Sequence, residues 1–531
     1  MRNFQEIGRS VIYSQSGLAA SSHPFASLEA ISILKQGGNA IDAAIAASAV
    51  LAVVEPQSTG IGGDCFALIH QKGDKKPTAI NGSGKAASYA DLSFFEKNNI
   101  NELNINSVHS VTIPGCVDAW SKMSQKYGKL PWKKLFESAI NYAKNGFPVL
   151  ERISHDWNET KHRLNLNEST AKTFLKKDGS PYKVGEIFTN ANLGKTLEII
   201  ANEGKEAFYE GEIAKDIVST LQKAGGFHEL KDLMQQDTLI QDPIQVNYRD
   251  KTLFQCPPNN QGITALIIMK ILEEFNINQY PAMSFERFHL EAEATKLAYS
   301  LRDQIVADNT NNKIDYESYL SSSYFKKLHE LIKFDKCLIP PSKIHDPLFS
   351  PDTVYLTVVD KDQNAVSFIN SIFHSFGSCI TTENTGIVLH NRGACFTLKK
   401  GHPNCIAPGK RPMHTIMPGM IYKDGEFFMS YGVMGGQYQP VGHIQFLNNF
   451  LEFGMAVQEA LDFPRAFNYG GVFQLEERIS KEVEEKLKSV GHNTMRLMMP
   501  LGGGQAIGLD LVNNVYYGGS DPRKDGCAIG F

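Results

Sequence analysis

A change in local pattern at residue 353 constrains the fold of this 531-residue chain more than any other feature. Before it, apolar residues recur mainly with helical spacing, and residues 40–54 are apolar on most faces, as in a helix buried against a sheet. After it, short β-branched and aromatic runs alternate with Gly, Asn and Pro, which predicts strands. With further helices predicted at 455–461 and 480–490, the pattern indicates a layered α+β fold.

The clearest pair of predicted strands covers residues 353–359 and 365–370. Polar turn residues, Lys-Asp-Gln-Asn at 361–364, lie between the two runs. We therefore expect a hairpin that begins at Thr353. The remaining predictions are helices at 26–35, 132–145 and 280–309, a mostly helical stretch over 155–240, a strand at 427–431, and no periodic pattern over 315–352.

Composition excludes several classes of protein. Hydrophobic residues make up 42% of the chain and charged residues 21%, as in ordinary globular proteins, and the net charge of −4 gives no electrostatic reason to bind nucleic acid or an anionic membrane. No apolar run reaches membrane-spanning length, and residues 1–10 lack the apolar core of a signal peptide. The eight cysteines form no C-x-x-C pair, so neither a zinc site nor a disulfide framework is predicted, and we expect a reducing cytoplasm.

The glycine-rich stretch at 59–64 does not predict nucleotide binding. It follows a predicted helix and opens a predicted strand, whereas phosphate-binding loops follow a strand and open a helix. Tight backbone packing at a turn is the better interpretation. The chain also lacks a Gly-x-Ser-x-Gly elbow, and His374, His390, His414 and His443 show no metal-ligand spacing.

Thr353 is a candidate nucleophile because of its position at the start of a strand. A threonine hydroxyl needs a base beside it, and one solution is the α-amine of the same residue, whose pKa is about 7.7–8.0 when it begins a chain. Thr353 is internal, so the bond between Asp352 and Thr353 would have to break first. An ordinary strand that begins with threonine is the alternative.

Nine segments, taken in order, strengthen the interpretation of Thr353 as a nucleophile. They occupy residues 21–24, 37–44, 55–64, 112–115, 352–353, 359–366, 410–412, 435–436 and 519–523. Together they resemble the gamma-glutamyltranspeptidase family of N-terminal-nucleophile hydrolases over nearly the whole chain.

The resemblance implies a four-layer αββα sandwich and a proenzyme that cuts itself between Asp352 and Thr353. A large subunit, 1–352, and a small subunit, 353–531, would then share one αββα domain. By match to the family's motifs, Thr353 would be the nucleophile and, through its α-amine, the base. Ser371 would be the hydroxyl that hydrogen-bonds it, and Gly435 and Gly436 would stabilise the oxyanion.

The resemblance also implies the binding partners. They are a small-molecule amide substrate and the two subunits made from one precursor, with no cofactor and no metal. A dimer of such heterodimers is compatible with it, and neither nucleic acid nor membrane is expected.

Several positions depart from the glutathione-cleaving members. Ser83 replaces an Arg that holds the α-carboxylate of the glutamyl group, and Phe373 replaces an Asn. The segment that holds the α-amine loses its acid and gains Arg392, and two consecutive serines become His414 and Thr415. An ammonium group buried without a carboxylate is costly, and a guanidinium suits a planar carboxylate.

These departures resemble the acylase and amidohydrolase branch of the family, with its cephalosporin-acylase-like and oxamate amidohydrolase members. We therefore hypothesise an amidase acting on a small carboxylate-bearing amide. The alternatives are a true gamma-glutamyltransferase or glutathione hydrolase that uses other residues for the head group, and a non-catalytic relative that stays uncut.

Overall fold

The structure is a computed structural model that describes residues 8–310, 314–338 and 353–531. Two seven-stranded antiparallel sheets dominate it. In spatial order, sheet A consists of Ile12–Ser14, Val515–Ser520, Gly503–Asp510, Glu426–Met434, Gly419–Lys423, Lys251–Gln255 and Ile244–Tyr248. Sheet B consists of Ala528–Gly530, Gly17–Ala20, Val354–Asp360, Ala365–Ser371, Asp64–His70, Thr78–Gly82 and Leu239–Gln241.

Helices cover the outer face of each sheet. The helices are Pro24–Lys35, Ala40–Val54, Leu92–Lys97, Cys116–Tyr127, Glu137–Asn145, Glu151–Leu164, Glu168–Phe174, Ala191–Glu203, Glu206–Tyr209, Glu212–Lys223, Leu230–Met234, Gly262–Glu273, Phe285–Ile305, Tyr316–Tyr319, Ser322–His329, Gln439–Leu447, Val457–Asp462 and Lys481–Ser489. Short strands at Phe147–Pro148, Ile187–Phe188, Ile380–Thr381, Val388–Leu389, Ala466–Tyr469, Val472–Leu475 and Thr494–Arg496 complete the list.

Three buried clusters define the layers. One lies between the sheets and takes apolar side chains from both, such as Tyr355 of sheet B and Met420 of sheet A. A second joins helix Ala40–Val54 to sheet B, and a third joins helix Gly262–Glu273 to sheet A. This four-layer αββα sandwich confirms the predicted fold class.

Helix Ala40–Val54 has the predicted bounds. Asn39 caps it through the Ile41 and Asp42 amides, and the Asp42 side chain accepts from the Asn39 amide, which makes a complete capping box. Every residue of the helix is buried. It packs against the two strands of the predicted hairpin, as expected for a helix that is apolar on most faces.

Three neighbouring strands of sheet B bring Thr353, Ser371 and Asp64 together at the same end of the sheet. Val354 pairs with Asn370, so Thr353 lies opposite Ser371. Ser371 in turn pairs with Asp64 on the next strand. The predicted hairpin therefore exists, and its register collects polar side chains at the ends of adjacent strands.

The glycine turn at 59–64 packs tightly, as predicted. A Cβ atom on Gly62 would lie 2.1 Å from the Val388 carbonyl oxygen, and one on Gly63 would lie 2.3 Å from the Ser371 carbonyl oxygen. Only glycine lets the backbone approach this closely. The turn therefore packs directly against the backbone of Ser371.

Some predicted bounds were wrong. The helix predicted at 280–309 is Phe285–Ile305, because the Ser284 side chain caps the Arg287 amide. Residues 132–145 divide into a 3₁₀ segment, Trp132–Phe136, and helix Glu137–Asn145. The stretch predicted to lack periodicity contains two short helices; in Ser322–His329 only Phe325 is buried, which leaves no repeating apolar pattern to detect.

Two further observations concern the chain as a whole. All eight cysteines are free thiols. Among the described residues, no helix combines the length and the apolar character needed to cross a membrane.

Candidate active site

The Thr353 and Ser371 hydroxyls form the centre of the candidate site. Their oxygens lie 3.1 Å apart, and both side chains are buried. The Phe373 amide donates to Ser371 Oγ at 2.8 Å, which fixes the serine rotamer. Asp352, the other residue of the predicted cleavage site, lies outside the described residues. Ser371 is therefore close enough to Thr353 to form the hydrogen bond predicted for it.

Arg392 lies directly beside this hydroxyl pair. Its Nη2 donates to Ser371 Oγ at 3.2 Å and its Nη1 donates to Thr415 Oγ1 at 2.7 Å. The Phe373 ring covers the guanidinium at 4.1 Å. The side chain is fully buried, and no carboxylate of the described residues lies within ion-pair distance. Burial lowers the pKa of Arg392, although Cys395 and Asp64 nearby favour the charged form.

A glycine turn joins this site through Gln261. Gly435 and Gly436 follow strand Glu426–Met434 with φ of 130° and 53°, conformations that side-chain-bearing residues rarely adopt. Gln261 Nε2 donates to the Gly436 carbonyl at 3.2 Å and to the Thr415 carbonyl at 2.7 Å. Hydrogen bonds thus run without interruption from Thr353 through Ser371, Arg392, Thr415 and Gln261 to the glycine turn.

The His414 side chain contacts Asp64. Its Nε2 donates to Asp64 Oδ2 at 2.9 Å, and its Nδ1 accepts from the Ile416 amide at 3.4 Å. Burial, with the positive charge of Arg392, lowers the pKa of His414 to about 3, while the contact with Asp64 acts in the opposite sense. His414 is therefore neutral at physiological pH.

Asp64 is buried but well supplied with donors. Its Oδ1 accepts from the Gly84 amide at 2.9 Å and the Gly115 amide at 3.2 Å. His390 Nδ1 lies 3.4 Å from Oδ2, the oxygen that His414 contacts. Burial opposes ionisation, yet His390 and His414 hold the pKa of Asp64 below its ordinary value. Asp64 is thus an anion within the electrostatic reach of Arg392.

Ser83 lies at the margin of the site, with its hydroxyl already engaged. Ser83 Oγ donates to Asn81 Oδ1 at 2.6 Å and accepts from Asn259 Nδ2 at 3.2 Å. Asn259 also donates to the Pro412 carbonyl at 2.7 Å, and its own carbonyl accepts from the His414 amide. The position therefore carries no cation, and its hydroxyl serves to tie two loops together.

A cavity of about 340 Å³ opens beside Phe373. Its lining includes Arg302, Phe373, His374, Cys395, Gln437 and Tyr469, but not Arg392. Gln437 directly follows the glycine turn, and Arg302 Nη1 donates to its side-chain oxygen at 2.6 Å. The Phe373 ring thus contacts Arg392 and also forms part of the cavity wall.

Comparisons with known proteins show which family the chain belongs to. The family model described as gamma-glutamyltranspeptidase matches residues 26–531. The chain belongs to the gamma-glutamyltranspeptidase family. It is 36% identical to the glutathione hydrolase-like YwrD proenzyme of Bacillus subtilis over 97% of this chain and 98% of that protein. It is 32% identical to the oxamate amidohydrolase proenzyme of Klebsiella pneumoniae, with coverage of 97% and 98%.

A solved structure shows that the chain also shares the fold of a known protein. The cephalosporin acylase from Bacillus halodurans superposes with a TM-score of 0.92 at 34% identity, covering 100% of this chain and 98% of that one. This gamma-glutamyltranspeptidase-family chain is therefore a proenzyme of the N-terminal-nucleophile hydrolase class, and its activity is that of a hydrolase or acyltransferase.

Sequence reasoning missed several residues that organise the site. Gln261, Asn259 and Asp64 lie far along the chain from the groups they hold, and none sits in a motif with an obvious chemical role. The contact between Asp64 and His414 spans 350 residues. The only local signal for any of these residues was that Asp64 ends the glycine-rich stretch at 59–64.

A second buried cluster, away from this site, contains His289, Glu293 and His492, the one group in the described part of the chain with the spacing of metal ligands. His289 Nδ1 and His492 Nε2 lie 2.9 Å apart. However, Glu293 already accepts from Lys296 Nζ and from the Leu338 amide, both at 2.6 Å. The Glu293 carboxylate is therefore already paired with the Lys296 ammonium.

Proposed function

We propose that this proenzyme cuts itself between Asp352 and Thr353 and then hydrolyses the amide bond of a small substrate that carries a carboxylate close to the amide. The observation that carries the proposal is Arg392, a buried guanidinium that contacts the hydroxyl paired with Thr353 and lacks a carboxylate partner among the described residues.

The first step is the self-cleavage. Thr353 Oγ1 attacks the carbonyl carbon of residue 352, and the acyl group moves from nitrogen to oxygen, which gives an ester. This shift already frees the α-amine of Thr353, and water then hydrolyses the ester to the carboxylate of residue 352 and the hydroxyl of Thr353. The ordinary pKa of an α-amine is about 7.7–8.0, so this group can take the hydroxyl proton in each later turnover.

In catalysis, Thr353 Oγ1 attacks the substrate carbonyl while the α-amine accepts its proton. Ser371, at 3.1 Å, orients the attacking oxygen. The glycine turn at Gly435 and Gly436 presents backbone without side chains, as an oxyanion site requires. The amine product leaves with a proton, and water cleaves the acyl-threonine ester to regenerate the hydroxyl.

Arg392 supports a carboxylate-bearing substrate. A buried guanidinium without a partner is unfavourable, and a planar carboxylate can accept two of its N–H groups at once. Its present partners, the hydroxyls of Ser371 and Thr415, can turn to donate when an anion arrives. A substrate carboxylate would then complete the ion pair that the described residues leave open.

A gamma-glutamyl head group fits this site poorly. Its ammonium needs a carboxylate, and the nearby acid, Asp64, already accepts from the Gly84 and Gly115 amides and from His414. Arg392 would repel the same ammonium. The names of two similar proteins, an oxamate amidohydrolase and a cephalosporin acylase, support acyl groups other than gamma-glutamyl.

The test is a substrate panel. Processed enzyme is incubated with oxamate, a glutaryl amide and gamma-glutamyl anilide, and ammonia or aniline release is measured, with Thr353→Ala as the blank. We expect turnover of carboxylate-bearing amides and little gamma-glutamyl release. Fast gamma-glutamyl release with no turnover of the other two would contradict the proposal and favour a glutathione hydrolase.

A further inference from the structure

The ring of Phe373 contacts Arg392 and also lines the cavity beside the candidate site. One face of the ring covers the Arg392 guanidinium at 4.1 Å, and Phe373 also lines the 340 Å³ cavity. Arg392 itself does not line that cavity and is fully buried. The His374 ring packs on Phe373 at 4.1 Å in an edge-to-face arrangement, which braces it.

The backbone of Phe373 has an unusual conformation. Its φ is +79°, a conformation that is strained for a bulky residue, and its amide donates to Ser371 Oγ at 2.8 Å. Strain of this kind persists only where the surroundings enforce it, and it concentrates at functional sites. Ring, serine and arginine thus form one unit around the hydroxyl of Thr353.

The position of Arg392 favours a short acyl group. Two hydrogen bonds in series, 3.2 and 3.1 Å, connect its Nη2 to Thr353 Oγ1. A reacting carbonyl carbon sits about 3–3.5 Å from its nucleophile, and a carboxylate oxygen sits about 2.8 Å from a guanidinium nitrogen. An acyl group with no carbon, or one, between carboxylate and carbonyl can meet both requirements. We expect a longer one to need the volume that the Phe373 ring occupies beside Arg392.

We propose that Phe373 is the residue that determines acyl length in this enzyme: it confines the acyl carboxylate to the space around Arg392 and assigns the separate cavity to the amine part of the substrate. This inference rests on the proposed function. The cavity, at about 340 Å³, lies within the usual range for small-ligand pockets, about 300–1,000 Å³. It therefore has room for a substituted amine.

The test compares oxamate, malonamate, succinamate and glutaramate as substrates of wild type and Phe373→Asn. Asparagine tolerates positive φ, so this change removes the ring at little backbone cost. We expect kcat/KM in wild type to fall along the series. In Phe373→Asn, the ratio of kcat/KM for glutaramate to that for oxamate should rise at least tenfold.

The matched control is Leu103→Ala, which enlarges the cavity at a lining residue other than Phe373. It should leave the ratio along the series unchanged. If Phe373→Asn fails to process itself, Phe373→Gly serves in its place, since glycine accepts this φ freely. An unchanged ratio in a processed ring-less variant, or an equal shift in Leu103→Ala, would overturn the assignment.

A second arm tests the amine side. N-phenyloxamate should have a lower KM than oxamate in wild type, because its ring can enter the cavity. A higher KM would contradict that part of the inference. If processed wild type hydrolyses none of these amides, the proposed function itself fails, which is a different outcome from an unchanged length ratio.

Discussion

Arg392 and Arg523 are both buried arginines, but their surroundings differ in kind. Arg523 donates to Glu476 at 2.6 Å and to Asp521 at 3.2 Å, and it also bonds the backbone carbonyls of Leu461 and Phe463. Arg392 donates to two hydroxyls, interacts with the Cys395 thiol and is covered by an aromatic ring, without a carboxylate partner among the described residues. The first arginine is neutralised by the protein, and the second is the one that we propose for a substrate carboxylate.

Other buried arginines sharpen the contrast. Arg163 donates to the Ser375 and Gly377 carbonyls, both at 2.7 Å, and Arg411 donates to the Asp237 carbonyl at 2.6 Å. Carbonyl oxygens cannot reverse their role, whereas hydroxyls can. Absence of a carboxylate is therefore not enough to indicate a ligand site; the hydroxyl partners and the position beside Thr353 are what distinguish Arg392.

The largest effect of a substitution is expected at Arg523, on the free energy of unfolding. Arg523→Met would leave Asp521 and Glu476 with less compensation in a buried site, and breaking a buried ion pair costs about 3–5 kcal/mol. Chemical denaturation should show this loss in the free energy of unfolding. A loss below about 1 kcal/mol would mean that Arg523 is not the structural counterpart that the contrast requires.

Arg392→Met should behave in the opposite way. Replacing a buried, uncompensated charge by an apolar side chain of similar size is often neutral or stabilising, so the free energy of unfolding should not fall. In contrast, kcat/KM for oxamate should fall about 100- to 1,000-fold, because a buried charge partner contributes about 2–5 kcal/mol. Steady-state kinetics on processed protein measures this.

Two observations would break this prediction. A strong loss of stability in Arg392→Met would assign the residue to the core, and unchanged oxamate kinetics would remove it from substrate binding. Arg392→Lys separates charge from shape, since lysine keeps the charge but lacks the planar fork. Partial recovery of oxamate turnover in this variant is expected.

The smallest effect concerns pH. The pKa of His414 is lowered to about 3 in the folded protein and is about 6.5 in an unfolded chain, so its stabilising contribution is complete above pH 6.5 and is lost as the pH falls toward 3. The pKa of Asp521 is also lowered, so its contribution is lost only below the ordinary range of an aspartate. The Arg392 region should therefore weaken at a higher pH than the Arg523 region.

Unfolding free energies at pH 7, 6, 5 and 4 for wild type and His414→Gln test this. The difference between the two proteins should shrink as the pH falls, by at most about 1.4 kcal/mol per pH unit for one group. A difference that is constant over this range would show that His414 does not stay neutral in the folded state.

Part of this structure was predictable because local pattern decides it. The bounds of helix Ala40–Val54 follow from its Asn39 cap and its apolar faces, and the hairpin at 354–371 follows from β-branched runs around a polar turn. The hydroxyl and glycine positions were predictable only through the resemblance to a family. The stacking of Phe373 on Arg392 and the contact of Asp64 with His414 were not, because long-range packing sets them and leaves no periodic signal.

The most direct test of the account is the mass of the purified protein. Wild type should give two chains, 1–352 and 353–531, with the smaller one beginning Thr-Val-Tyr-Leu, and Thr353→Ala should remain a single inactive chain. An uncut wild type with full amidase activity, or a cut Thr353→Ala, would contradict the claim that Thr353 becomes both nucleophile and base.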